Sequence, residues 1–255
     1  MINEIEYSKV MKNNPSAVVK GAPSKWSRVS RQAIACGAML LGLGSAMAQT
    51  AISTLAGSSP AIAAGNVDAT GTAARFSAPA SVAVDAAGNI YVADASNHKI
   101  RKVTAAGVVT TLAGSGSQGS ANGVGAAATF NFPQGVATDG TNVYVADTFN
   151  HVIRKVVIAD GTVTTLAGTA GSSGTAIGLA GVGRLNNPLG VAVSGTDLYV
   201  ADTSNHAIRK VVIATGDISN FVGTPGTSGS DDGTGLVARF KNPGAIAAEG
   251  TTNLY

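Results

Sequence analysis

One strand-like phrase occurs three times in this chain, and it limits the possible folds more than any other feature. Each copy has an apolar strand that ends in aspartate, a turn that ends in Asn-His, and a second strand with the letters Ile-Arg-Lys-Val. The three aspartates are Asp94, Asp147 and Asp202, at intervals of 53 and 55 residues, and a fourth copy begins at 253–255. A repeat of this length predicts equivalent units that bury their apolar faces against one another.

Each unit is predicted to contain four short strands separated by turn signals. The first strand is rich in Gly, Ala and Val, the second is the Tyr-Val-Ala-Asp phrase, and the third contains the Arg-Lys pair. The first two strands are apolar on both faces, so neighbouring sheets must cover both. Small residues suit a first strand near a central axis, and charged residues suit a third strand near solvent. Such sheets describe an all-β fold, a β-propeller of four-stranded antiparallel blades.

The phrases Pro-x-Gly-Val-Ala, Tyr-Val-Ala-Asp and Asn-His-x-Ile-Arg-Lys-Val resemble the NHL repeat, which is named for an Asn-His-Leu triplet. The third letter of the triplet is Lys99, Val152 or Ala207 here, a departure at the most variable position of the family. The resemblance extends over residues 54–255. It implies a propeller with six blades, as in most relatives.

The predicted blades lie at about residues 75–114, 129–168 and 184–223, followed by a partial fourth blade at 239–255. Residues 52–57 match the fourth strand of the later copies, and they are expected to be an outer strand that closes the ring against a last blade. Three blades and part of a fourth are fewer than the usual four to eight. The chain is therefore interpreted as truncated, with exposed end blades that favour self-association.

Residues 1–48 have the pattern of an export signal. A basic segment with six of the seventeen Lys and Arg residues precedes an apolar run at 33–43 and the small-residue site Ala46-Met47-Ala48. The run is about half the length of a membrane-spanning helix, which needs roughly 20 residues. The remaining domain, 49–255, is therefore expected to have no membrane span and to be secreted, periplasmic or on the surface of a bacterial cell.

The basic character of the chain belongs to the leader. Without it, eleven Lys and Arg residues stand against twelve Asp and Glu residues, a formal charge of −1. A domain with this balance offers no basic surface for nucleic acid. The leader also holds the one cysteine, Cys36, so neither disulfide nor thiolate chemistry is expected in the propeller.

The polar residues of the repeat are the first candidates for a site, and each is predicted to have a structural role. Three equivalent histidines cannot meet at one Zn²⁺, because ligands lie within ~2.1 Å of the ion while stacked sheets are ~10 Å apart. The aspartates are predicted to accept hydrogen bonds from the Asn-His turn and to fix the hairpin. These structural residues are Asp94, Asn97, His98, Arg101, Asp147, Asn150, His151, Arg154, Asp202, Asn205, His206 and Arg209.

Two alternatives stay open for charged residues. One residue of each Arg-Lys pair is predicted to reach acids of its own or a neighbouring blade, but a ring of these cations could bind an anion. Asp231 and Asp232 could supply oxygen ligands to Ca²⁺ or belong to a turn, and Asp68 in the first connection is no stronger a candidate.

Phe149 is the clearest departure from the repeat, since Ser96 and Ser204 occupy the same turn position. An exposed aromatic side chain at a loop tip is a candidate contact residue. No catalytic residue, metal ligand or cofactor is predicted, because no Ser-His-Asp set and no carboxylate pair stands outside the repeat pattern. The sequence favours an exported, non-enzymatic binding or scaffold module for a protein or a glycan. The alternative, implied by six-bladed relatives, is part of a lyase or lactonase-like enzyme whose channel metal is held by blades outside this chain.

Overall fold

The computed structural model describes residues 53–58, 64–251 and 253–255. Within these ranges the chain forms short strands and 3-10 turns and contains no α-helix. The predicted export signal and Ile52 lie outside the described residues. No helix in the described part of the chain is long and apolar enough to cross a membrane.

Three antiparallel blades follow one another along the chain. The first contains β1 (Pro79–Val84), β2 (Ile90–Asp94), β3 (Lys99–Val103) and β4 (Val109–Ala113). A short β5 (Gly123–Val124) precedes the second blade, which contains β6 (Pro133–Thr138), β7 (Asn142–Asp147), β8 (Val152–Val157) and β9 (Thr162–Gly168). The third contains β10 (Pro188–Ser194), β11 (Asp197–Asp202), β12 (Ala207–Val212) and β13 (Ile218–Val222), and β14 (Ala248–Glu249) and β15 (Asn253–Leu254) begin another sheet. Consecutive strands are neighbours in each blade, so the predicted all-β fold is confirmed.

The first strand of each blade lies against the first strand of the next. β1 packs on β6, β6 on β10, and β10 on β14. Gly135 in β6 shows how close the approach is, since a Cβ atom there would lie 1.9 Å from the carbonyl oxygen of Leu189 in β10. Only a residue without a side chain permits this contact. The small-residue strands therefore converge at the inner ends of the blades, as a propeller requires.

The apolar core lies between successive blades. One cluster joins Tyr91 and Ile100 of the first blade to Val143 of the second, and a second cluster joins the second blade to the third. Phe130 and Leu185 belong to these two clusters and are fully buried. They come from the connections that enter the second and third blades, and full burial of one such side chain stabilises the fold by about 1.5–3 kcal/mol. A third cluster packs within the first blade and its incoming connection, so apolar contacts act both between blades and within one.

The long connections between blades add an outer segment that a four-strand pattern omits. β5 pairs with β9 at the outer edge of the second blade. Single bridges repeat this contact in the other blades, from Thr70 to Val108 and from Gly178 to Ile218. Each connection therefore crosses the edge of the blade that it enters, and it covers backbone groups that would otherwise be free to pair with another chain.

Residues 53–58 differ from the strand predicted at 52–57, because they form bends and no strand. The Gly57 N–H nevertheless donates to the Gly71 carbonyl at 3.1 Å, just as the Gly114 N–H donates to the Gly125 carbonyl at 3.0 Å one blade later. The segment occupies the place of an outer strand beside the first blade, but no strand in the described residues pairs with it there. Closure of a ring by this segment stays a prediction.

The close approach at Gly135 gives a stability test. We predict that Gly135→Ala lowers the free energy of unfolding by about 1–3 kcal/mol, because the new methyl group forces β6 away from β10. Gly244→Ala is the matched control, since a Cβ atom at Gly244 meets no atom within 4 Å, and it should change stability by about 0.5 kcal/mol or less. Urea unfolding measures both, and equal stabilities of the two variants would contradict the packing described here.

Candidate binding surface on the turn face

Each buried aspartate binds donors from its own blade. In the first blade, Asp94 accepts hydrogen bonds from the Ser77 N–H at 2.7 Å, from Asn97 Nδ2 at 2.8 Å and from Arg101 Nη1 at 2.7 Å. The equivalent groups are Asp147 with Asn150 and Arg154, and Asp202 with Asn205 and Arg209. All three ion pairs are fully buried. Such a pair requires several hydrogen bonds, because the removal of each charge from water costs several kcal/mol.

The arginines lie deeper than the sequence predicts. A charged third strand suggested a position near solvent, but Arg101, Arg154 and Arg209 are among the most completely buried side chains. Successive residues of a strand point to opposite faces, so the arginine enters the blade while the adjacent lysine stays half-buried. Since the guanidinium groups are enclosed by their own blades, the alternative of an arginine ring around a soluble anion has no support.

A second acceptor for the arginine comes from the connection that crosses the blade. Arg101 donates to Asp68, and Arg154 Nη2 donates to Asn122 Oδ1 at 2.9 Å. The carboxylate of Asp68 also accepts from the Thr111 N–H at 2.9 Å. The carboxylate of Asp68 is therefore occupied by donors of the first blade.

The third blade departs from this pattern at Ile177. Its place in the connection is fixed by a repeated backbone bond, from the Arg184 N–H to the Ala176 carbonyl, which corresponds to the bond between Arg75 and Val67 in the first blade. Ile177 thus stands where Asp68 stands in the first blade, and it is 55% exposed. Arg209 Nη2 donates only to backbone carbonyls of this connection, both at 3.2 Å. The Nε atom of Arg209, like that of Arg154, has no hydrogen-bond partner among the described residues, so the difference between the two blades lies in the missing side-chain acceptor.

The histidines connect neighbouring blades. Each ends its 3-10 turn in the left-handed region, with φ of 53°, 59° and 58°, which histidine adopts more readily than most residues. In each blade, Nδ1 of the histidine accepts a hydrogen bond from a backbone N–H of the next blade. The bonds run from Phe132 to His98 at 3.1 Å, from Asn187 to His151 at 3.1 Å and from Asn242 to His206 at 3.2 Å. Burial lowers the pKa of His98 and of His151, so the rings stay neutral and able to accept.

The same geometry keeps the histidines apart from one another. Each ring points to the residue before Pro133, Pro188 or Pro243 in the next blade, and not to another histidine. Across the described ranges, no three His, Cys, Asp or Glu side chains are grouped closely enough to hold a metal ion. The repeated histidine is therefore a link between blades in this structure.

We call the end of the blades that holds the 3-10 turns at 95–97, 148–150 and 203–205 the turn face. Phe149 lies on this face and is 50% exposed. Its ring centroid is 5.3 Å from that of Phe132, with the planes tilted by 41°. Phe132 in turn meets the edge of the His98 ring at 5.4 Å. The three rings form a row across the boundary between the first and second blades.

Phe132 is a site residue that the sequence reasoning missed. At the equivalent positions the chain has Ala78 in the first blade and Asn187 in the third, and in the third blade Asn187 Nδ2 donates to Ser204 Oγ at 3.1 Å. An aromatic pair therefore replaces an amide–hydroxyl pair. The signal was present one residue before Pro133, where a comparison of the three copies shows phenylalanine in place of a small or polar residue.

The blades and their shared contacts define a β-propeller, and comparison with known proteins identifies its repeat. The family model of the NHL repeat matches residues 185–211, and that of the teneurin NHL domain matches residues 63–134. NHL repeat-containing protein 2 of Gallus gallus is 31% identical over 185 residues, which are 65% of this chain and 23% of that protein. The matched residues therefore contain NHL repeats, and the chain spans less than a quarter of that relative's length.

Solved structures show the same fold. A protein of unknown function from Bacteroides thetaiotaomicron is 23% identical, with a TM-score of 0.56 over 68% of this chain and 42% of that one. An auxiliary nutrient binding protein from Bacteroides ovatus is 18% identical, with a TM-score of 0.52 over 69% of this chain and 44% of that one. At these identities the likeness concerns the fold alone.

The departure at Ile177 predicts a stabilising substitution. Ile177→Asp places a carboxylate beside Arg209, at the position that Asp68 has beside Arg101 in the first blade. It should raise the free energy of unfolding by about 1 kcal/mol, a small value because the position is exposed. The reciprocal change Asp68→Ile should lower it by a similar amount. Ile177→Ser is the control, since it removes the exposed methyl groups without a charge. Chemical denaturation measures all three, and an Asp variant no more stable than the Ser variant would contradict the prediction.

The third blade also predicts a dependence of stability on pH. Burial raises the pKa of Asp202 from 3.8 to about 6, although hydrogen bonds from Asn205 and Asn186 and the charge of Arg209 lower it. Because the pKa of Asp202 is higher in the folded than in the unfolded chain, the contribution of this group to stability is fully present below about pH 4. It is lost as the pH rises through 6 and the buried carboxyl group has to ionise. The stability of the wild type minus that of Asp202→Asn should therefore fall by about 1–3 kcal/mol from pH 4 to pH 7. Urea titrations at both pH values measure it, and an unchanged difference would refute the prediction.

Proposed function

We propose that this chain is an exported, non-enzymatic binding module that contacts its partner through the turn face of the propeller. The observation that supports it is the contrast between two groups of residues on that face. The polar side chains that repeat in every blade are bonded to their own or the next blade, whereas Phe149 departs from the repeat and is left half-exposed. Repeated residues build the scaffold, so a surface that departs from them is the one available for a specific contact.

The opposite end of the blades supports a binding role rather than a catalytic one. Asp85 and Asp139 end the innermost strands there, at the place where an enzyme of this fold could hold a channel metal. The carboxylate of Asp85 accepts from Asn89 Nδ2 and from the Tyr91 hydroxyl, both at 2.9 Å. That of Asp139 accepts from the Tyr144 hydroxyl at 2.7 Å. Both acids are thereby used to brace a turn, as expected for residues of a scaffold.

Export is supported by the order of residues in the leader. The basic segment, the short apolar run and the Ala46-Met47-Ala48 site follow one another as in a cleaved signal. A partner is therefore sought in the periplasm, on the cell surface or outside the cell. A protein of the same fold is described as an auxiliary nutrient binding protein, which agrees with a binding role, although the proposal depends on the turn face and not on that likeness.

The test is binding to the cell envelope with a variant that removes only the aromatic pair. The double variant Phe132→Asn/Phe149→Ser carries the residues that the third blade has at the same positions, so the fold should persist. The labelled wild-type chain should bind envelope material of the bacterium that carries the gene saturably, and the double variant should bind at least tenfold more weakly.

The control is Val84→Ser, which changes an exposed valine at the opposite end of the first blade. It should bind like the wild type, and thermal unfolding should show that all three proteins are folded. Binding that is not saturable, or that the double variant retains in full, would exclude the turn face as the contact surface.

A further inference from the structure

The aromatic pair is not needed to hold the turn that carries it. The Phe132 N–H bonds His98 at 3.1 Å, and the Asn187 N–H bonds His151 at the same distance. The N–H of Phe149 donates to the Asn131 carbonyl at 3.1 Å, and the N–H of Ser204 donates to the equivalent carbonyl in the third blade at the same distance. The backbone geometry of the turn is thus the same with and without the rings, so the rings serve something other than the turn.

Phe132 also occupies an unfavourable backbone conformation. Its φ is 55°, in the left-handed region, which asparagine tolerates and which is a true outlier for a bulky side chain. Ala78, Asn187 and Asn242 occupy the same region at the equivalent positions, so the repeat fixes the conformation and a bulky ring is its least suited occupant. Backbone strain persists only where the surrounding structure fixes it, and it is frequent at binding sites. The strain and the exposure of Phe149 both point to a contact surface.

The segments around the pair carry no charge. The 36 residues from 103 to 138, which include Phe132, contain no Asp, Glu, Lys or Arg, and neither do the 23 residues from 161 to 183. These segments form the connections beside the turn of Phe149: Asn150 Nδ2 donates to the Gly119 carbonyl, and the Asn150 carbonyl accepts from the Gly171 N–H. They are rich instead in serine, threonine and amide side chains.

Charged residues adjoin the equivalent turns of the other blades. Lys99 follows the turn of the first blade, and its ammonium group is bonded to Asn66 Oδ1 at 2.9 Å. Lys241 precedes Asn242, at the boundary beyond the third blade, and Asp231 and Asp232 lie in the connection that leads there. Two cations lie against these uncharged segments, since the Lys99 side chain lies beside Gly116 and Arg184 Nη1 donates to Thr169 Oγ1 at 2.7 Å. The segments beside the aromatic pair thus offer mainly hydroxyl and amide groups of their own, and no acidic residue.

We infer that the Phe132–Phe149 pair binds a neutral glycan, an inference that rests on the proposed binding function. The negative face of an aromatic ring attracts weakly positive C–H groups, and one face of a pyranose ring presents such groups. The hydroxyl groups at the edge of a sugar both donate and accept hydrogen bonds, and the adjoining connections are rich in serine, threonine and amide side chains that do the same. The two cations that lie against these segments already donate to oxygen atoms of the protein, Lys99 to Asn66 and Arg184 to Thr169, and the segments themselves carry no charge to pair with a charged polymer.

The experiment uses the full chain and defined polysaccharides. Affinity electrophoresis compares neutral glucans, mannans and xylans with the acidic polymers alginate and polygalacturonate. The wild type should be retarded by at least one neutral polymer and by neither acidic one. Phe132→Asn/Phe149→Ser should weaken that binding at least tenfold, and Ser96→Ala, at the equivalent turn of the first blade, should leave it unchanged. Failure of every neutral polymer to bind, or equal binding by the double variant, would overturn the inference.

Treatment of the envelope separates this inference from the proposed function. Periodate cleaves the vicinal diols of sugars, and protease removes proteins. Envelope binding that periodate abolishes and protease spares supports a glycan. Binding that protease abolishes and periodate spares identifies a protein partner, which overturns the glycan but leaves the turn face as a binding surface. Absence of any saturable envelope binding is the result that rejects the proposed function itself.

Discussion

The buried pair of aspartate and arginine in each blade is the interaction on which the rest of the unit depends. Asp94 sits at the end of β2, and its carboxylate holds the turn through Asn97, the third strand through Arg101 and the incoming connection through the Ser77 N–H. Four segments of chain thus meet at one carboxylate. Loss of either partner would leave an unpaired charge in the interior, which costs about 3–5 kcal/mol in other buried pairs. The pair therefore fixes the shape of the blade at the end that carries the turn.

The histidine at the end of the turn connects each blade to the next one. Because the turn is fixed by Asp94 and Asn97, the left-handed residue at its end places the ring of His98 against the following blade. There the ring accepts one backbone N–H, in a position that would otherwise be an unpaired donor at the entrance of β6. An unpaired buried donor costs about 1–3 kcal/mol. The Asn-His letters of the repeat thus have two separate roles: asparagine acts within a blade, and histidine acts between blades.

The repeat made the architecture predictable, and the same repeat limited what could be predicted about each residue. Four strands to a blade and the order of the strands follow from apolar letters and turn signals. The burial of Arg101 could not be predicted in this way, because the sequence shows an arginine in the third strand but not whether its side chain reaches water or a buried acid. Nor could the route of the connections, since β5 is only two residues long and is specified by its contact with β9. The link from His98 to Phe132 joins residues 34 apart, and no local pattern reports it.

The second and third blades depart from the repeat at a few positions, and the two departures have different consequences. At Ile177 the third blade loses an acceptor for Arg209 without any visible gain, and the result is a less well satisfied ion pair. At Phe132 and Phe149 the second blade accepts backbone strain and exposes aromatic surface, and two residues 17 apart in sequence change together. Both changes are needed to form one contact between two rings, whereas either alone would leave a single ring beside a small side chain. This pair of changes adds backbone strain and exposed aromatic area. A binding surface needs such exposed area, whereas a scaffold does not.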